Sequence, residues 1–138
     1  MIRVSSLYAD LEASLSALRK DPGAVRRSRE LLEASISTGR AVYGVNTGFG
    51  KLASKRIPDD KLRDLQRNIL LSHAVGVGNP VPRAITRLML QLKIHALGLG
   101  HSGVSMTTFE RLLDLAEADL IPYVPSKGSV GASGDLAP

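Results

Sequence analysis

Leucine recurs at helical spacing along most of this chain, and proline or glycine punctuates each run. Leu7, Leu11, Leu15 and Leu18 line one helical face behind Ser5 and Ser6. Asp21-Pro22 pairs a capping carboxylate with a proline suited to a first helical turn, and Gly39 is a stop, so a second helix is expected between them. Leu62, Leu65, Ile69 and Leu70 mark a third helix after Pro58, ending near Gly76. A fourth opens at Pro82, with Ile85, Leu88, Met89, Leu92, Ala96 and Leu99 along its inward stripe; Gly98, Gly100 and Gly103 end it. Thr107 and Glu110 have capping-box spacing, so a fifth helix is expected to start there and to carry Phe109, Leu112, Leu113, Ala116 and Leu120 inward.

Between these runs, Ala41-Val42-Tyr43-Gly44-Val45 is too short and too glycine-bounded for a helix and reads as a short strand or extended loop. Pro122 and Pro125 force an extended approach to the last residues. Composition agrees with a mainly α chain. Only 4% of residues are aromatic and none is tryptophan, so leucine, isoleucine, valine and alanine must build the core. Hydrophobic residues at 43% against 22% charged argue against disorder, and 138 residues suffice for one ordinary domain.

Several function classes are excluded at this level. The net charge of +5 is scattered apart from Arg26-Arg27-Ser28-Arg29, which has Glu30 and Glu33 beside it and no interleaved aromatics; a solvated helix face is expected, not a nucleic-acid site. There is no cysteine, and His73, His95 and His101 are not spaced as ligands on adjacent helical turns, so no metal is expected. The N-terminus lacks a signal-peptide run and no segment is long enough to cross a bilayer, which makes the cytoplasm the default. Gly98-Leu99-Gly100-His101-Ser102-Gly103 fits a dinucleotide fingerprint but follows a helix where a strand is required. Gly48-Phe49-Gly50-Lys51-Leu52-Ala53 fits only the loose form and has no helix directly behind it. Leu52 after Lys51 also rules out a P-loop. No nucleotide cofactor is expected.

The chemistry is concentrated in the last eleven residues, Gly128 to Pro138, where Ala132-Ser133-Gly134 lies among glycines and precedes Asp135. In a tight turn the Gly134 amide nitrogen can attack the Ala132 carbonyl carbon. Loss of one water from the ring and a second from Ser133 then leaves a methylidene-imidazolone, an electrophile. Glycine permits the close approach, alanine leaves the carbonyl uncrowded and serine supplies the departing hydroxyl. Asp135 can act as a local acid or base in maturation, or cap a following helix.

This loop closely resembles the cofactor-forming loop of the aromatic amino acid ammonia-lyases, the family of histidine, phenylalanine and tyrosine ammonia-lyases. Tyr43-Gly44-Val45-Asn46-Thr47-Gly48-Phe49-Gly50 is similar to the segment carrying that family's catalytic tyrosine, and the segment from Gln66 to Gly78 is similar to its substrate-pocket segment. The blocks occur in family order, and the resemblance runs from about Ser37 to Pro138. Residues 1–138 are therefore expected to be the N-terminal portion of a lyase, ending just after the cofactor loop. Family members are several times longer. The resemblance implies that the remaining portion, or a complementary chain supplying it, contributes a second tyrosine, an arginine for the substrate carboxylate and most helices of a homotetramer.

The resemblance further implies a methylidene-imidazolone formed from Ala132, Ser133 and Gly134, with Tyr43 removing the substrate β-proton. A phenol titrates near 10 when unperturbed, so such a site must favour phenolate. Asn46 and Thr47 are expected to shape their loop, while Gly48 and Gly50 let its backbone approach the ligand. The Ser72-His73 pair is similar to that of histidine ammonia-lyases and points to L-histidine as substrate, giving urocanate and ammonia. His73 can bond an imidazole as donor or acceptor, and can also bond a phenol. A phenylalanine or tyrosine lyase, an aminomutase that returns ammonia to the β-carbon, and an inactive assembly fragment are the alternatives. His95 and His101 are expected to be surface or capping groups.

Overall fold

In a computed structural model, residues 3–50, 53–131 and 134–135 are described. The leucine-rich runs are helical: α1 (Leu7–Lys20), α2 (Gly23–Ser37), α3 (Leu62–His73), α4 (Arg83–Gly98) and α5 (Met106–Glu117). Two antiparallel strand pairs are also present among the described residues: β1 (Gly76–Pro80) with β2 (Pro125–Gly128), and β3 (Val130–Gly131) with β4 (Gly134–Asp135). The fold is mainly α, as expected. The chain divides into two compact units, one comprising residues up to Leu32 with Val81–Tyr123, the other Glu33–Pro80 with residues from Val124 onward.

The first unit is organised around Phe109, which is fully buried and packs with Leu15, Val25, Leu90, Ile94 and Leu113. Burying these apolar surfaces is the main favourable term holding α1, α4 and α5 together. Leu11 and Leu15 confirm the inward stripe of α1. Before α2, the Asp21 carboxylate accepts from the Gly23 amide at 2.9 Å, and the Pro22 carbonyl accepts the first helical bond from Arg26 at 3.1 Å. The sequence thus identified the right start signal.

The inward face of α4 differs from the expected stripe. Thr86, Leu90, Ile94 and Gly98 are buried, whereas Ile85, Met89, Leu92 and Leu99 are 39–54% exposed. This helix is apolar on two faces, so periodicity alone offers two solutions. Gly98 selects between them: having no side chain, it admits Leu18 of α1 into a space that a Cβ would occupy. His95 also joins this contact, its Nδ1 lying 2.7 Å from Ser14 Oγ, and is a link between helices as well as a half-buried side chain.

The start and end of α5 also depart from the expected positions. Ser105, not Thr107, is the cap; its hydroxyl accepts from the Thr108 amide at 3.2 Å. The helix ends before Leu120, which is 60% exposed. Asp119 occupies the left-handed region at φ 52°, so that the Leu120 amide donates back to the Leu115 carbonyl at 2.9 Å. Arg83 and Arg87 of α4 grip the Asp119 carboxylate at 2.8 and 2.7 Å. Led by the Arg83 hydrogen bond, they hold its carboxyl below the usual range.

The glycines of the apparent dinucleotide fingerprint have packing roles. Gly100 is the most constrained, with φ +77°, and an added Cβ would lie 2.6 Å from the Ala24 carbonyl oxygen. Gly103 faces Leu32 in the same manner. Gly100→Ala should cost about 1–3 kcal/mol, combining left-handed strain with a backbone clash. Equilibrium denaturation of the complete protein checks this; unchanged stability would show that the turn relaxes without penalty.

Candidate functional site

The second unit contains all three segments singled out by the sequence. Its first part is a turn, not a strand: the Val42 carbonyl accepts from the Val45 and Asn46 amides at 3.1 and 3.2 Å. Asn46 closes that turn from within. Its Oδ1 accepts from the Val42 amide at 2.7 Å and its Nδ2 donates to the Arg40 carbonyl at 2.9 Å, satisfying a side chain that is fully buried. Thr47, equally buried, accepts from the Gly44 amide at 3.3 Å and donates to the Gly48 carbonyl at 2.9 Å. The expectation that these residues shape the loop agrees with this geometry.

Tyr43 consequently stands on the outside of the turn, 62% exposed. The edge of one ring meets the face of the other where it touches Phe49, with centroids 5.6 Å apart and planes at 71°. Gly50 adopts φ +55°, and an added Cβ there would meet nothing within 4 Å. Backbone conformation, not crowding, therefore accounts for glycine at that position. The turn is tied back to α3 by Gln66 Nε2, which donates a long 3.5 Å hydrogen bond to the Gly44 carbonyl. Sequence reasoning missed this role of Gln66, because spacing gives no sign of which loop a helix touches.

The helix α3 presents Ser72 and His73 in its last turn. The Ser72 hydroxyl donates to the Ile69 carbonyl at 3.1 Å, and His73 Nδ1 lies 2.9 Å from that carbonyl and 2.7 Å from Ser72 Oγ. Both side chains are otherwise exposed, as are the apolar neighbours Leu70, Leu71 and Val75. The helix stops at His73, short of the expected Gly76, because the chain must leave helical geometry to form β1. Gly76 pairs with Gly128 and Val77 with Lys127, and the Ser129 amide donates to the Val75 carbonyl at 3.2 Å. Backbone bonds thereby join the end of the Ser72-His73 helix to the start of the glycine-rich segment.

That segment folds back on itself: Val130 pairs with Asp135 and Gly131 with Gly134. Ala132 and Ser133, which link Gly131 to Gly134, lie outside the described residues. Antiparallel pairing of Gly131 with Gly134 is compatible with the ring closure that the sequence leads one to expect.

Solved structures share this fold. Ergothionase from Treponema denticola gives a TM-score of 0.74 at 30% identity, covering 83% of this chain and 23% of that one. Histidine ammonia-lyase from Trypanosoma cruzi gives 0.70 at 34% identity, covering 85% of this chain and 23% of that one. The family model for aromatic amino acid lyases matches residues 3–138, and the chain belongs to that family. The histidine ammonia-lyase of Burkholderia mallei is 50% identical over 115 residues, which is 83% of this chain and 23% of that relative. The chain thus spans under a quarter of the length of these relatives.

Asn46→Leu should detach the Tyr43 turn, since it keeps the bulk of the side chain but leaves the Val42 amide and Arg40 carbonyl unpaired. The expected loss is about 1–3 kcal/mol of local stability, read as faster hydrogen exchange at residues 42–48 in the complete protein. Unaltered exchange would show that water replaces both bonds at no cost.

Proposed function

We propose that this chain is the N-terminal portion of a histidine ammonia-lyase that eliminates ammonia from L-histidine to give urocanate. The observation that carries this reading is the backbone connection between the Ser72-His73 helix end and the glycine hairpin, through the β1·β2 pair and the Ser129–Val75 bond. Membership of the aromatic lyase family and 50% identity to the Burkholderia mallei enzyme supply the reaction class. Substrate choice rests on Ser72 and His73.

In this reading, Ala132, Ser133 and Gly134 provide a methylidene-imidazolone, an electrophile that draws electron density from the substrate. Asp135 assists its maturation. The Tyr43 phenol oxygen takes the β-proton as the Cα–N bond breaks and ammonia departs, leaving the carbon–carbon double bond of urocanate. Exposure of Tyr43 on a turn with an internally satisfied polar framework supports this role, because its hydroxyl can reach a substrate while the backbone beneath stays in place. His73 and Ser72 orient the substrate ring, and Gly50 lets the Tyr43 loop approach it. The remaining groups, including those for the substrate carboxylate, come from the other three quarters of the polypeptide or from a complementary chain, assembled as a homotetramer. Among the described residues no helix is long and apolar enough to cross a membrane; we place the enzyme in the cytoplasm.

The test uses the complete enzyme. Ser133→Ala should prevent the loss of two waters seen by intact mass and abolish turnover, because alanine has no hydroxyl to eliminate. Loss of both waters in that variant would remove the basis of the reading. Tyr43→Phe, at matched cofactor content, should keep the mass loss but reduce turnover by roughly 100-fold or more, the scale for a positioned general base. Near-normal turnover would assign Tyr43 a packing role. Product analysis decides the remaining alternatives: a β-amino acid identifies an aminomutase, and preference for phenylalanine or tyrosine moves the substrate while leaving the lyase chemistry in place.

A further inference from the structure

Resting on the reading of Ser72 and His73 as substrate-binding residues, we propose that His73 offers the substrate ring a hydrogen-bond acceptor at Nε2, with the Ile69 carbonyl fixing that tautomer and Ser72 steadying the ring. The argument begins with the proton inventory. His73 Nδ1 lies 2.9 Å from the Ile69 carbonyl oxygen. A carbonyl has no proton to give, so this approach is a hydrogen bond only when Nδ1 carries one.

The serine completes the arrangement. With Nδ1 protonated, the Ser72 hydroxyl donates to the Ile69 carbonyl at 3.1 Å and its oxygen shares the Nδ1 proton at 2.7 Å. Every proton then has an acceptor. In the reverse assignment, Ser72 donates to a bare Nδ1, and the lone pairs of Nδ1 and the Ile69 carbonyl face each other at 2.9 Å. A neutral imidazole has one donor and one acceptor nitrogen, so Nδ1–H leaves Nε2 as the acceptor. The geometry is local to the last turn of α3. A helical side chain leans back toward the N-terminus, which brings residue 73 over the carbonyl of residue 69.

The consequence for substrate class is directional. The substrate ring must present a donor to Nε2, either an imidazole N–H or, less selectively, a phenol O–H. A plain phenyl ring offers Nε2 no donor, the kind of mismatch that discriminates strongly once substrate and protein close over the contact. Methylation of the ring nitrogen facing His73 removes the donor as well. Ser72 is then a positioning residue, acting on substrate through His73.

The experiment is ¹⁵N–¹H two-bond correlation NMR on the complete enzyme with ¹⁵N-labelled histidine, with His73 assigned by its absence in His73→Gln. Wild type should show the Nδ1–H form. Ser72→Ala should keep the Nδ1–H form, because the Ile69 carbonyl still accepts that proton, but should loosen the ring and raise KM for L-histidine by about 2- to 10-fold with a smaller change in kcat, the scale of one neutral hydrogen bond. Ser72→Thr keeps the hydroxyl and should restore KM. An Nε2–H form in wild type overturns the tautomer assignment, and a Ser72→Ala enzyme with unchanged KM overturns the positioning role of Ser72. The spectrum requires no turnover, so the Nδ1–H form in an enzyme that does not process L-histidine would overturn the histidine reading while the tautomer assignment stands.

Discussion

The candidate site depends on a short ribbon of backbone hydrogen bonds, the pairing of β1 with β2. Gly76 opposite Gly128 brings together segments remote in the chain, one leaving the Ser72-His73 helix and the other entering the β3·β4 pair. Its side chains contribute little burial: all five β1 residues are exposed. Each backbone bond contributes only about 0.5–1.5 kcal/mol net, and an isolated two-stranded ribbon is marginal in water. Contacts beyond the ribbon must therefore stabilise it. The register shifts between Val77 and Pro80, where Gly78 takes φ +89°, and an added Cβ there would lie 2.8 Å from Ser126 Oγ. The ribbon tolerates few other sequences at that point, although nothing in it reacts.

The two compact units are held by different physics. Around Phe109, hydrophobic burial dominates, and truncating such a ring costs about 3–5 kcal/mol. The Arg19 bridge from α1 to Asp114 and Glu117 of α5, at 2.7–2.9 Å, is well formed but partly exposed, so its net contribution is small by comparison. In the unit that carries the site, no residue of α3 is buried, and polar satisfaction by Asn46 and Thr47 does more of the work. Hydrogen bonds have preferred directions and hydrophobic contacts do not. A turn closed by the two arms of one asparagine can therefore hold Tyr43 outward with little apolar burial.

Much of the architecture was legible from spacing. Apolar periodicity located α1, α3, α4 and α5, and the Asp21-Pro22 and Gly39 signals located α2, where Gly39 takes φ +77° and its amide donates to the Ile36 carbonyl. Failures came where two local solutions were equally good. The α4 sequence can turn either of two apolar faces inward, and the close approach of Leu18 to Gly98 selects the one that periodicity did not favour. Thr107 and Ser105 are both plausible caps, and only the hydrogen bond to Thr108 distinguishes them. The glycine fingerprint Gly98-Leu99-Gly100-His101-Ser102-Gly103 shows the same ambiguity: glycines required for close packing have the same letters as glycines required for phosphate.

By itself, the sequence determined which residue types are present and in what order: an Ala-Ser-Gly tripeptide, a tyrosine in a glycine-rich segment and a Ser-His pair. Those are covalent properties and do not depend on a neighbour. Tertiary structure decided how the segments connect, through antiparallel pairing at Gly76 and Gly128 and through the Gln66 contact to the Tyr43 turn. Such arrangements are set by nonlocal backbone bonds and by the direction of each side chain, and a linear pattern specifies neither.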